Sequence, residues 1–234
     1  MAKPCYYISD AELGTIFVRP DVRARHLILH IRPDGSLLVT LPPGAGEREL
    51  RAFVDTFRSE AKRRLSALTP KVIDWGFVID APSFRFTVER GGTGGFQLRG
   101  RGREYTLLCP PDTDFSSRQP WLRKVVEEAM RRRAGEVLPG RTARLSERVA
   151  LPYRSLKINT SKGRWGSCST RGDINLSCSL VLLPEHLTDY VILHELCHTV
   201  EMNHSPRFWA LLDRFTGDAH ALRRELGAYH TFTT

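Results

Sequence analysis

The residues between 194 and 204 carry the clearest chemistry in this 234-residue chain. His194-Glu195-Leu196-Cys197-His198 forms an H-E-x-x-H string. On an α-helix, residues four apart are rotated by about 400°, so the two imidazoles share one face and stand about 6 Å apart along the axis. Two nitrogen donors so placed can close on one tetrahedral Zn2+. Glu195 is offset by about 100° from the first imidazole, so it lies beside such a metal and can take a proton from the water the metal activates. The spacing predicts zinc-dependent hydrolysis of a peptide bond, with Glu195 as general base.

A catalytic zinc takes a third protein ligand and keeps one position open. Glu201 and His204 are the two candidates. Glu201 stays on the imidazole face if the helix continues. On an uninterrupted helix His204 would rise about 9 Å beyond His198 and rotate about 120° away, so it ligates only if the chain turns back. Asn203 offers a helix stop, because Asn tolerates the left-handed conformation, and Ser205-Pro206 then reads as an N-cap followed by Pro at the first helical position. The reading favours His204 as third ligand, with Glu201 as a partner of the ligand set or as the alternative ligand. The H-E-x-x-H…His204 spacing matches that of the metzincins, but Glu201 stands where they carry Gly, and the methionines (1, 130 and 202) leave no downstream Met-turn.

These residues need elements to hold them. After Pro184 the chain reads as helical nearly to its end, with apolar Leu187, Val191, Ile192, Leu193 and Leu196 making the motif helix a buried one. Gly217 and Gly227 read as stops. Before it, Ser155–Thr160 and Asp173–Cys178 read as a hairpin around a Gly/Ser-rich loop. One of these two strands is expected to be a sheet edge onto which substrate adds, with Arg164 or Asn175 approaching the substrate carbonyl; Trp165 then reads equally as a core anchor and Gly166 as part of a tight turn. Residues 119 to about 145 read as helical, broken in two at Pro139-Gly140. The first 110 or so residues read as strand-rich, with strands near 16–18, 27–31, 37–41, 84–88, 95–99 and 104–108 and one helix from Gly46 to about Leu68. Pro33-Asp34-Gly35 marks a hairpin turn, and Gly91 to Gly94 a flexible one. No internal repeat is visible. The fold class is α+β: a β-rich N-terminal half with one helix, and a helical, zincin-like C-terminal half whose active-site helix follows a β-hairpin. The composition shift near Cys109-Pro110-Pro111 places the division at 1–112 and 113–234.

Gly163-Arg164-Trp165-Gly166-Ser167-Cys168-Ser169, Ile174-Asn175-Leu176, the H-E-x-x-H string and Asn203-His204-Ser205-Pro206-Arg207-Phe208-Trp209 together resemble the YgjP-like metallopeptidases, a family near the SprT/WLM-type zinc peptidases. The Arg32–Gly35 hairpin and the Trp121 region are similar to it as well. The resemblance implies His194, His198 and His204 as metal ligands and Glu195 as general base, and it leaves the substrate open.

Other residues carry less. Cys168, Cys178 and Cys197 lack a C-x-x-C partner and read as buried thiols. Phe208, Trp209, Leu212 and Phe215 recur at helical spacing and read as core. His26, His30 and His186 read as structural or exposed. For the developing oxyanion of a peptidase, His220, Tyr229 and His230 are candidates that the sequence does not place near the metal.

Composition bounds the remainder. With 35 Lys+Arg against 26 Asp+Glu the net charge is +9, gathered in short clusters (62–64, 99–103, 131–133, 223–224) that read first as solvated faces. The charge permits an alternative: a nucleic-acid-associated protein with a structural zinc, or a peptidase acting on DNA-bound proteins. The longest wholly apolar run, Leu180–Leu183, is far short of the ~20 residues that span a bilayer, and residues 1–5 lack a signal-peptide core. Five scattered cysteines fit reduced thiols, so a cytoplasmic location without membrane association is expected.

Overall fold

A computed structural model describes residues 4–32, 36–68, 72–91, 94–161 and 163–232. The expected turn at Pro33-Asp34-Gly35, and the centre of the one at Gly91 to Gly94, lie outside the described residues. The chain divides into two compact units, Met1–Lys71 and Val72–Thr234.

In the first unit, β1 (Tyr6–Asp10), β2 (Gly14–Pro20), β3 (Ile28–Ile31) and β4 (Leu37–Leu41) form a sheet of order β1-β2-β4-β3, followed by α1 (Glu47–Leu68). Alternation in β2 sends Ile16 and Val18 inward, where they meet Leu37, Val39 and Leu41 of β4 and Leu50, Val54 and Ala61 of α1. Leu50, Val54 and Ala61 recur at helical spacing, so one stripe of α1 covers the sheet. β1 escaped the sequence reading because its strand alternates only weakly.

The second unit contains β5 (Val78–Ala81), β6 (Phe84–Arg90), β7 (Gln97–Arg101) and β8 (Glu104–Cys109) in the order β5-β6-β8-β7, and then α2 (Gln119–Val149). It therefore repeats the first unit's topology, which corrects the expectation of no internal repeat. Both sheets have an antiparallel first pair, a parallel central pair and an antiparallel last pair. The register agrees in the central and last pairs. The penultimate residue of the last strand, Thr40 or Leu108, lies between the penultimate residue of the second strand, Arg19 or Glu89, and the first residue of the third, Ile28 or Gln97. The chain leaves both sheets identically: the Leu41 carbonyl accepts from Asp21 N and the Cys109 carbonyl from Gly91 N, each at 3.0 Å, and two prolines follow each time. Few residues besides the Pro-Pro exits are shared at equivalent positions, Val18 with Val88 and Leu29 with Leu98 among them, because backbone pairing constrains side chains little.

One further expectation changes here. α2 runs unbroken through Pro139. The lost hydrogen bond and ring clash cost about 3 kcal/mol, but burial of Leu122, Val126, Met130, Ala134, Leu138 and Leu145 along one face outweighs that. The chain passes from the first compact unit to the second at 71/72, and Phe84, Phe86, Tyr105 and Leu107 of β6 and β8 share one core with α2 and the elements after it.

The rest of the second unit builds the site. β9 (Ser155–Asn159), β10 (Gly166–Cys168) and β11 (Asp173–Ser177) form a sheet of order β10-β11-β9. β9 and β11 are parallel and cannot be the two arms of a hairpin; the hairpin is β10–β11, and β10 lies within the stretch read as a loop. The Asp173 carboxylate ties the sheet's end together, accepting from Arg154 Nε and Ser155 Oγ at 2.6 Å each. A 3-10 turn (Cys178–Leu182) leads to α3 (Glu185–Cys197), α4 (Pro206–Thr216) and α5 (Ala219–Leu226). The α+β class, with a strand-rich N-terminal half and helices in the C-terminal half, is as the sequence predicts. The basic cluster on α2 is paired locally: Arg131 and Arg132 with Glu128 at 2.8 and 3.0 Å, and Arg133 with Glu136 at 3.1 Å. No helix among the described residues is long and apolar enough to cross a membrane.

A close approach gives a test of the second unit. Gly100 pairs with Tyr105 across β7 and β8, and a Cβ at Gly100 would come within 2.2 Å of the buried Tyr105 ring. Gly100→Ala is expected to lower the unfolding free energy by about 1–3 kcal/mol, as overpacking does; urea unfolding followed by far-UV circular dichroism measures it.

Candidate metal centre

α3 is buried on nearly every side: Leu187, Val191, Ile192, Leu193, Leu196 and Cys197 all lie in the core of the second unit. His194, Glu195 and His198 are thus carried into an apolar interior. The helix ends at Cys197, with His198 as its cap in ordinary right-handed geometry (φ −68°, ψ −12°). Thr199 N then donates to the Leu196 carbonyl, and Val200 N and Glu201 N to that of Cys197. The reversal therefore needs no left-handed Asn203: among the described residues only Ala150 is a non-glycine with positive φ. Ser205 caps α4, its hydroxyl accepting from Phe208 N at 3.3 Å, with Pro206 at the first turn as expected. That corner returns His204 to the face of α3.

The three imidazoles converge. His194 Nε2 lies 3.2 Å from His198 Nε2 and 3.0 Å from His204 Nε2. The donor atoms of all three lie within 4.8 Å of one another, a group that could hold a metal ion. His198 Nδ1 donates to the Glu201 carbonyl at 3.0 Å. A carbonyl can only accept, so the proton sits on Nδ1 and the Nε2 lone pair is free to face the cluster. Glu201 thus supports the histidine through its backbone, and that contact needs no carboxylate. Burial, then the neighbouring imidazoles and Arg223, hold His194 down to about 3, and burial lowers His198 as well, so both rings are neutral donors near neutral pH. His194 Nδ1 is buried without a hydrogen-bond partner.

Phe208 is the floor of this group. It is fully buried, and its ring centroid lies 4.9, 4.5 and 4.8 Å from those of His194, His198 and His204. The His198 ring stacks on it at 24°. Phe208 is core, as the helical spacing predicts, but core that sets three ring positions at once.

Glu195 is 6% exposed and faces β10. A Cβ at Gly166 would stand 2.7 Å from its Cγ and Oε1, so only glycine lets the edge strand approach this closely. Gly166 opens a strand and is not in a turn. Burial pushes the Glu195 carboxyl up to about 7. It makes no hydrogen bond or ion pair among the described residues. The thiols nearby are not anionic donors: burial raises Cys168 and Cys178 to about 11 and Cys197 to about 12.

An open cavity of about 440 Å³ lies over the cluster. It is lined by His194, Glu195 and His204, by Trp165, Gly166, Tyr190 and Trp209, and by Val191, Leu226 and Arg223. Trp165 and Trp209 thus face the cavity. Arg164 and Asn175 do not line it; Arg164 is exposed, and Asn175 sits in the central strand with its amide donating to Ser167 Oγ at 3.5 Å. His220, Tyr229 and His230 are outside it too, with His220 stacked on Trp209 at 4.4 Å. Tyr190, Arg223 and Leu226 line the cavity without having been read as site residues. Tyr190 precedes His194 by one helical repeat, a spacing that points to it. Arg223 has no sequence signal, because it arrives on a different helix. His186 is exposed and paired with Glu225 at 2.8 Å.

Phe208→Ala removes the shared floor of the imidazoles and opens a cavity in the core. A loss of about 3–5 kcal/mol in unfolding free energy is expected, measured by denaturant titration; a loss below 1 kcal/mol would contradict the packing described.

Among solved structures, the metallopeptidase zymogen of Pyrococcus abyssi abylysin is similar at 20% identity over 37% of this chain and 89% of its own, with a TM-score of 0.34, so the two superpose only loosely. A comparison with curated proteins gives no match. The family model of the YgjP-like metallopeptidase domain matches residues 25–229, which take in both four-stranded sheets in part or whole and every residue of the histidine cluster. This chain belongs to the YgjP-like metallopeptidases.

Proposed function

We propose that the chain is a zinc peptidase in which His194, His198 and His204 hold the metal and Glu195 is the general base. The observation that carries this reading is the convergence of three imidazole Nε2 atoms beside a buried carboxylate. Zinc bonds of 2.0–2.1 Å in tetrahedral geometry put nitrogen ligands about 3.3 Å apart; the two separations from His194 are 3.0 and 3.2 Å, and all three donors lie within 4.8 Å of one another. Imidazole nitrogens suit Zn2+ as donors, and the protonated Nδ1 of His198, held by the Glu201 carbonyl, supplies the orienting contact that ligand histidines use.

Zn2+ bound there would supply a Lewis acid that brings the pKa of water towards neutrality and polarises a peptide carbonyl. The protein's own groups do the rest. Glu195 Oε1 or Oε2 takes a proton from the attacking water and passes it to the nitrogen of the departing amine, the role for which a carboxyl raised towards 7 is suited. The absence of a side chain at Gly166 leaves the room that this carboxylate occupies against the strand. β10 is the outer strand of its sheet, and an extended peptide adding to its edge would lie across the cavity mouth, held through main-chain hydrogen bonds. Every side chain in this reading lies between Trp165 and Leu226, within the 113–234 region assigned to catalysis.

Glu195→Gln is expected to keep the metal, read by elemental mass spectrometry, while peptide hydrolysis falls by about 10²–10⁴-fold. Full activity in that variant refutes the general-base role. His204→Ala is expected to lose the metal together with activity. Gly166→Ala should retain the metal and lose turnover, since the added methyl displaces Glu195 and none of the imidazoles; unchanged turnover would contradict the close approach.

A further inference from the structure

The cavity over the metal centre has one cationic side chain in its lining, Arg223, and one acidic one, Glu195. Arg223 lies on α5, with its guanidinium 5.3 Å from the centroid of the Trp209 ring. That ring in turn stacks on His204 at 5.8 Å and 29°, so a single indole joins the guanidinium to the metal cluster. Among the described residues Arg223 forms no ion pair and its side chain no hydrogen bond.

The acids nearest in sequence are all committed elsewhere. Asp213 accepts from Ala219 N at 2.8 Å, Asp218 caps α5 by accepting from Ala221 N at 2.8 Å, and Glu225 pairs with His186. An arginine stacked on an aromatic ring, facing a cavity and left without an anion by its own chain, is arranged to receive one. The planar guanidinium fits a carboxylate with two parallel hydrogen bonds, while Tyr190, Val191 and Leu226 leave apolar wall around it.

Resting on the peptidase reading above, we infer that Arg223 is the specificity-determining residue of this site and receives a carboxylate of the peptide substrate. Two sources carry that chemistry, an Asp or Glu side chain and the peptide's C-terminal carboxylate.

The test measures binding to the metal-loaded full chain carrying Glu195→Gln, read from the fluorescence of Trp165 and Trp209 in the cavity wall. The probes are acetylated alanine pentapeptides in matched pairs: Glu against Gln at each internal position with an amidated end, and the all-alanine peptide with a free against an amidated C-terminus. A charged hydrogen-bond pair contributes enough for the carboxylate member of at least one pair to bind about 10- to 100-fold more tightly. Which pair responds names the source. Adding Arg223→Glu is expected to remove or invert that preference, whereas Arg224→Ala, one residue on and outside the cavity lining, keeps it.

Equal affinity within every pair, no measurable binding of any probe, or a preference that survives Arg223→Glu each overturns the inference. The two readings fail separately. Hydrolysis of the same peptides by the unsubstituted protein without carboxylate preference would leave the peptidase and refute Arg223. An Arg223-dependent preference without hydrolysis would do the reverse.

Discussion

Burying an imidazole or a carboxylate away from water costs free energy unless a partner replaces the lost hydration. Within five residues α3 does this with Glu195, with His198 and with the Nδ1 atom of the half-buried His194. His194, Glu195 and His198 project from a helix whose other faces are packed into the core of the second unit, and His194 Nδ1 and the Glu195 carboxyl have no hydrogen-bond partner among the described residues. The surrounding structure shows what such burial requires. The apolar faces of α3 must be packed well enough to outweigh the polar ones, which is why α2, the β9–β11 sheet and α4 share one continuous core with it. The same burial lowers His194 and His198 and pushes the Glu195 carboxyl up to about 7, so the stability cost and the shifted proton affinities have one cause.

The remaining geometry follows from two close approaches. Phe208 holds three rings within 5 Å of its own, so α4 cannot shift without moving the donor set. Gly166 brings the edge strand against Glu195, so the strand and the carboxylate are positioned by each other. Neither contact is strong alone. Packed interiors transmit small displacements, however, and a constellation pinned from two sides is more rigid than its individual contacts.

The scaffold before the site is a duplicated four-stranded sheet with a helix after each copy. The copies share the register of their central and last pairs and their exit geometry but have different roles: the second sheet contributes Phe84, Phe86, Tyr105 and Leu107 to the core that also holds α3, whereas the first closes its own core with α1. Ladder hydrogen bonding tolerates wide side-chain variation, which lets one topology serve both purposes.

Much of the site was legible from the sequence. The H-E-x-x-H spacing placed two donors and the carboxylate on one helix, because helical geometry converts spacing directly into direction. Ser205-Pro206 marked the start of α4, and the need for a turn before His204 followed from the same geometry. What the sequence could not supply was anything set by contacts between distant segments. It assigned the reversal to Asn203, whereas the backbone turned at His198. It read β10 as a loop, since three residues carry no alternation to detect, and it paired β9 with β11 as a hairpin when they run parallel. It put Phe208 in the core without showing that it underlies the cluster. It had no reason to bring Arg223 to the cavity, because that depends on how α5 packs against α3 and α4. Residue type and local spacing determined the donors and the carboxylate; tertiary packing alone decided what stands beneath them, what presses against them and which charge faces the space above.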